Sequence, residues 1–302
     1  MLFDISNAHL EELQDELFEQ KQVRVFVLRL DKIHPRLSGN KIFKLHYFLK
    51  EALASDHRTV LTFGGAWSNH LTATAYACKT LKIKCIGVVR GERPAQLSAT
   101  LLQCMDDGMQ LKFISREAYD KEENQTLIAE LQQEFGDCVI IPEGGYHPLG
   151  AKGAAHILDL VKDKDFSHIC TASGTATTLA GLLLAAGPEQ TMIDIPVLKG
   201  IADIDTRINF LIGSRSLPKN LQIFTDYHFG GYAKKTDELI AFMNQCWTQY
   251  HLPLDFVYTA KMMFAVIDLI KKEHFNMGSK ILCLHTGGLQ GNKSLPLNSL
   301  LF

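Results

Sequence analysis

The chain has 302 residues, 46% hydrophobic and 21% charged, the composition of a globular protein with room for one large or two medium domains. Lysine and arginine total 31 against 33 for aspartate and glutamate, a formal net charge of -2. That balance argues against a nucleic-acid binder, which carries a basic excess or stripe.

The longest apolar run, around Leu179 to Ala186, is about ten residues, well short of the ~20 that a membrane span needs. Met1-Leu2-Phe3-Asp4 lacks the basic, apolar, small-residue order of a signal peptide. Seven cysteines, an odd number without a C-x-x-C pair, fit neither a zinc site nor a disulfide framework. The expectation is a soluble cytoplasmic enzyme with no metal, no nucleic-acid partner and no membrane partner.

Short β-branched runs alternate with longer amphipathic ones. Val23 to Leu30 reads as a strand, and Lys41 to Ala54 as a helix with Leu45, Phe48, Leu49 and Leu53 at helical spacing. Thr59 to Phe63 is strand-like and leads through Gly64-Gly65 into a helical run from Ser68 to Leu81. Further strands are expected at Cys85 to Val89, Leu111 to Ser115, Val139 to Pro142, His168 to Thr171, Asp194 to Leu198, Leu221 to Thr225 and Lys280 to His285. This alternation predicts an α/β protein with parallel sheets and helices on both faces. In such sheets ligands bind beyond the carboxyl ends of the strands, so the strand-to-helix loops are where chemistry is sought.

Four loops stand out. Leu37-Ser38-Gly39-Asn40-Lys41 opens a helix that also carries Lys44, three residues on and on the same face. Two lysines at the positive end of a helix suit an anion or a Schiff base; a capped helix start with two solvated lysines is the plainer reading. Phe63 to His70 holds Gly64-Gly65, then Trp67, Ser68, Asn69 and His70. Ser68 and Asn69 either cap the next helix or present polar groups to a carboxylate. Thr171 to Thr178 places hydroxyls at a helix start, as a phosphate cradle or as a simple capped turn. His285 to Gly291 sets Thr286 and three glycines after the last strand, lining a flat ring or forming only a turn.

In this order the loops resemble those of pyridoxal-phosphate enzymes with the tryptophan-synthase β-like fold (fold type II). More narrowly they resemble the 1-aminocyclopropane-1-carboxylate (ACC) deaminase and D-cysteine desulfhydrase family. The resemblance runs from about Val23 to Gly291 and rests on Ser38-Gly39-Asn40-Lys41 with Lys44-Leu45 and on the Gly-Gly-x-x-Ser-Asn-His loop. It implies two three-layer α/β/α domains with pyridoxal 5'-phosphate in the cleft between them: a large one of residues 1–44 plus 153–302, and a small one inserted at 45–152. It also implies a homodimer and a small amino acid as substrate.

The resemblance assigns roles. Lys41 is implied as the Schiff-base lysine, with Lys44 near the phosphate. Asn69 is implied at the ring oxygen, and Ser68 with its neighbours Trp67, Asn69 and His70 at the substrate carboxylate; Ser68 is also, beside Lys41, a candidate for moving the proton. Ser173, Gly174, Thr175, Ala176 and Thr177 are implied around the phosphate, although members often have glycine where Thr177 stands. Val257-Tyr258-Thr259-Ala260-Lys261 resembles the family segment whose third residue faces the pyridine nitrogen, so Thr259 takes that place. Tyr258, with Tyr232 from Phe229-Gly230-Gly231-Tyr232, is implied over the substrate.

The deaminase branch carries Glu where Thr259 stands and tends to have Leu where Thr286 stands. Both hydroxyls favour the desulfhydrase-like branch, because opening a cyclopropane needs the stronger electron sink and expelling a thiolate does not. The expectation is therefore D-cysteine β-elimination to pyruvate, ammonia and sulfide. ACC deamination, a dehydratase acting on D-serine or threonine, and a non-catalytic cofactor-binding homologue are the alternatives. Trp67 replaces a family Gln and Ala260 a family Gly, which alters the substrate pocket.

Overall fold

The computed structural model describes residues 1–37, 39–119, 125–161, 165–214 and 216–302; Ser38 of the first loop lies outside them. A short strand β1 (Leu10–Leu13) and helix α1 (Glu16–Gln20) precede β2 (Arg24–Arg29) and α2 (Lys41–Ala54). Next come β3 (Thr59–Gly64), α3 (Asn69–Leu81), β4 (Lys84–Arg90), α4 (Ala99–Asp106), β5 (Met109–Ile114), α5 (Arg116–Tyr119), α6 (Gln125–Phe135) and β6 (Val139–Ile141). The chain continues through α7 (Pro148–Ala155), β7 (His168–Ser173), α8 (Thr177–Ala185), β8 (Thr191–Pro196), α9 (Ile204–Ile212) and β9 (Leu221–Ile223). It closes with α10 (Asp237–Tyr250), α11 (Thr259–Lys271) and β10 (Lys280–His285).

Two sheets result. One has the order β1-β2-β10-β7-β8-β9 and the other β5-β4-β3-β6. Among the described residues all pairings are parallel except β1 with β2, so the expectation of wholly parallel sheets is corrected at one edge. Leu10-Glu11-Glu12-Leu13 has too little apolar alternation to announce a strand. It forms because β2 offers it an open edge, and Glu11 and Glu12 then pair with Arg29 and Arg24. The buried strands read as continuous apolar runs because both faces are covered; all six residues of β3 are buried.

The second sheet takes its strands from one continuous stretch, whereas the first draws on both ends of the chain. The domain division expected from the sequence cuts inside α2, after Lys44, and inside α7, after Lys152. Three strands at the centre of the larger sheet, β2, β10 and β7, lie side by side and point the same way. Their following loops therefore reach one edge together, and that edge faces the loop after β3.

Candidate active site

A cavity of about 390 Å³ lies where these loops meet. The segment after β2 supplies Asn40 from its loop and Lys41 and Lys44 from the start of α2, and the segment after β3 supplies Ser68 from its loop and Asn69 and His70 from the start of α3. The junction of β7 and α8 supplies Ser173 through Thr178, and the residue after β10 is Thr286. Tyr232 and Tyr258 close the wall. Gly39 makes the first junction possible: its φ is +71° and a Cβ there would fall 1.9 Å from the Thr286 carbonyl oxygen.

Both lysines point into the cavity rather than into solvent, so the solvated-lysine reading does not hold. Loss of water pushes the Lys41 pKa from 10.5 down to about 8, against an upward pull from the Asp255 carboxylate. Burial also lowers Lys44 well below its ordinary value, and the neighbouring Lys41 charge adds to that. Two desolvated ammonium groups side by side make a site that gains from an anion.

The start of α8 offers a seat for an anion. Ala176, at its N-cap, has φ +61°, and no side chain caps the helix, so the N–H groups of its first turn face the cavity at the positive end of the macrodipole. The Thr175 and Thr177 hydroxyls are 2.8 Å apart beside it, and Asn40 donates through Nδ2 to Thr178 Oγ1 at 2.7 Å. Ser173 donates to Asp194 Oδ2 at 2.7 Å. Burial raises the Asp194 pKa to about 7, with the Ser173 bond opposing.

On the facing side Ser68 caps α3, its Oγ accepting from the Leu71 N–H at 3.2 Å. Its own hydroxyl hydrogen remains available to a ligand, so capping and ligand binding are compatible. His70 Nε2 lies 2.8 Å from Thr62 Oγ1, whose hydroxyl donates to the Ile141 carbonyl at 2.8 Å. The imidazole therefore carries its proton on Nε2. Burial, with Lys44 and Lys41 adding, lowers its pKa to about 3, so it is neutral.

Tyr232 and Tyr258 meet edge to face at 6.1 Å between ring centroids, and Lys41 Nζ lies 5.7 Å from the Tyr258 ring centre. Burial raises both phenol pKa values, so both stay protonated at neutral pH. In that form they can donate hydrogen bonds and are not ionised bases.

Two residues expected at the site are not among the lining groups. Trp67 is 44% exposed; it sits in the turn before the α3 cap, and the backbone path that turns Ser68 inward leaves its indole outside. Thr259 is buried with its hydroxyl donating to Asp255 Oδ2 at 2.7 Å, because Asp255 caps α11 by accepting from the Val257, Tyr258 and Thr259 N–H groups. Conversely, Asn40, Arg90, Glu143 and Arg207 line the cavity without having been assigned a role. Arg90 ends β4 and Glu143 stands just past β6; the strand-end rule points to both once their strands join β3 in one sheet.

The match to the family model of pyridoxal-phosphate-dependent enzymes spans residues 4–287. This chain belongs to that family. A Thermotoga maritima relative provisionally named 1-aminocyclopropane-1-carboxylate deaminase is 30% identical over 91% of this chain and 92% of its own. The Arabidopsis thaliana mitochondrial bifunctional D-cysteine desulfhydrase/1-aminocyclopropane-1-carboxylate deaminase is 29% identical over 88% of this chain and 73% of its own. A solved structure described as an ACC deaminase homologue superposes with a TM-score of 0.79 at 28% identity, covering 95% of this chain and 90% of that one. The fold is thus the tryptophan-synthase β-like fold of type II pyridoxal-phosphate enzymes, and the protein is such an enzyme, related to deaminases and lyases.

The residues present fit the cofactor. Among the described residues Asn40 Oδ1, Asn69 Oδ1 and His70 Nδ1 are buried polar atoms without a partner, and all three side chains line the cavity. Orphaned buried acceptors of this kind are uncommon and call for a polar ligand. The uncapped start of α8 fits a phosphate, and a partly neutral Lys41 fits an aldehyde.

Proposed function

We propose that this enzyme catalyses β-elimination on a small amino acid, D-cysteine being the first candidate, with water consumed and pyruvate, ammonia and sulfide released. The observation that carries this reading is the distribution of acids around the cavity. Of the described lining residues only Glu143 is acidic, and its charge acts on the two tyrosines. Thr259, where the resemblance sets the partner of the pyridine nitrogen, is a hydroxyl whose hydrogen is committed to Asp255. A site without a carboxylic acid at that position suits departure of a thiolate better than opening of a cyclopropane.

When bound, pyridoxal phosphate supplies an electron sink for charge developing at the substrate Cα. The residues of the chain do the rest. The start of α8, with the Thr175 and Thr177 hydroxyls, holds the phosphate. Lys41 carries the amine that takes the Cα proton, and its depressed pKa makes that amine available near neutral pH. The Ser68 hydroxyl and the N-terminus of α3 bind the substrate carboxylate, and the tyrosines shield the reacting carbons. The Cβ–S bond breaks with its electron pair leaving on sulfur. The same reading has the enzyme act as a cytoplasmic homodimer of two-domain subunits, carried by the resemblance alone.

The second reading is ACC deamination to 2-oxobutyrate and ammonia, supported by the name of the Thermotoga relative and by the pairing of both activities in the name of the Arabidopsis one. The test is a product assay of purified holoprotein with D-cysteine, L-cysteine, D-serine and ACC. Sulfide and pyruvate in equal amounts from D-cysteine support β-elimination. Formation of 2-oxobutyrate from ACC with no sulfide from D-cysteine refutes it.

A further inference from the structure

Lys261 is a third lysine with an unusual setting, and it takes no part in the cavity wall. Its side chain is fully buried, a placement that a lysine adopts only when its ammonium is satisfied. Nζ donates to the His228 carbonyl at 2.8 Å and to the Gly231 carbonyl at 2.8 Å. Both carbonyls belong to the loop that carries Tyr232 to the cavity mouth.

That loop holds itself only in part: the Gly231 N–H donates to the His228 carbonyl at 3.0 Å and the Lys234 N–H to the Gly231 carbonyl at 3.1 Å, within a backbone of costly conformation. Phe229 and Ala233 have φ of +51° and +52°, and Gly230 and Gly231 between them have +91° and +117°. Left-handed non-glycine residues are costly unless the surroundings impose them. The imposing surface is α11. Tyr227 donates to Asp268 Oδ2 at 2.6 Å, and Phe229 packs edge to face on Phe264 at 4.9 Å. Lys261 supplies the attachment nearest Tyr232. Tyr258 is the N-cap of the same helix, so one rigid element presents Tyr258 directly and Tyr232 through the Lys261 ammonium.

We propose that Lys261 is a positioning residue that clamps the 228–231 carbonyls so that Tyr232 stands against Tyr258 over the substrate side of the cavity. The clamp uses the charge itself, since charge-assisted bonds to two carbonyls are stronger than neutral ones. It rests on the proposed function only for what Tyr232 then does to the substrate; the anchoring of the loop is independent of it.

The experiment compares holoprotein carrying Lys261→Met, Tyr232→Phe and both, with Lys261→Arg as a second variant that keeps the charge should the methionine variant fail to fold. Hydrogen exchange of the peptide spanning residues 225–234 is read first. A tenfold or greater acceleration confined to that peptide in K261M, with the visible absorbance of the bound cofactor retained, is expected; unchanged exchange overturns the proposal. Kinetics with whichever amino acid the wild type turns over is read second. K261M is expected to lose tenfold or more in kcat/KM, and the double variant to fall within twofold of the worse single one, because Lys261 acts through Tyr232. Losses that multiply overturn the proposal. Should none of the tested amino acids be turned over, the functional reading fails while the exchange result still decides the clamp.

Discussion

The pKa of Lys41 governs how fast the apoprotein takes up its cofactor. Only the neutral amine attacks an aldehyde, and removal of water lowers the Lys41 pKa from 10.5 to about 8. The neutral fraction near pH 7 is then about 300-fold larger than for an ordinary lysine, since each pKa unit is a factor of ten. With pyridoxal phosphate added to apoprotein, the rate at which the visible absorbance of lysine-bound cofactor appears should rise with pH and level off above about 8. Replacing Asp255 by Asn removes the carboxylate that pulls Lys41 upward, so the midpoint should fall below that of the wild type. Asn keeps one oxygen for the Val257 and Tyr258 N–H groups, while its amide nitrogen replaces the Oδ2 that accepts from the Thr259 N–H and hydroxyl, so thermal unfolding of the variant is read alongside. Lys41→Ala is the control and should show no such band. A wild-type midpoint near 10, or a midpoint that rises in the Asp255→Asn variant, would refute the assignment of Lys41 as the desolvated nucleophile.

Lys44→Met should stabilise the apoprotein at neutral pH while weakening cofactor retention about tenfold or more, read by thermal unfolding and by dialysis against phosphate buffer. Lys41 and Lys44 are both depressed in the folded protein, so between their folded and unfolded pKa values the unfolded chain binds more protons. Apoprotein stability from these groups therefore rises with pH through that window, and a fall in unfolding temperature between pH 8 and 9.5 would count against it. Asp194→Asn removes a carboxyl whose pKa burial raises to about 7. A raised carboxyl contributes stability below its unfolded pKa and loses it as pH rises toward 7, so the Asn variant should gain on the order of 1–3 kcal/mol relative to wild type at pH 8 and little at pH 4. Asp107, whose side chain is fully buried, pairs with Arg36 and, at 3.1 Å, with Lys79, tying the loop before Lys41 to α3. Asp107→Ala should cost about 2–4 kcal/mol in denaturant unfolding, and a loss below about 0.5 kcal/mol would show that solvent already screens the network.

Local elements and the chemistry of the loops are legible in the order of the residues. A helix was expected over Lys41–Ala54 and a strand over Lys280–His285, and both form at those bounds, because apolar spacing and glycine placement act within a few residues of each other. The order of the four loops was enough to suggest the family, since chemistry and spacing survive in one dimension. Which side chains share a space depends instead on how the two sheets and their loops pack. Trp67 and Ser68 are adjacent in the chain, yet one is exposed and the other lines the cavity, a difference set by the path of the turn before α3. Thr259 turns to Asp255 because the carboxylate is drawn to the open N–H groups at the start of α11. Arg90 and Glu143 reach the site because β4 and β6 flank β3, a pairing that no local pattern encodes. The depressed pKa values of Lys41 and Lys44 have the same origin: desolvation depends on all the atoms that folding brings around a group, and lysines in a helix start show nothing of it until the sheets close over them.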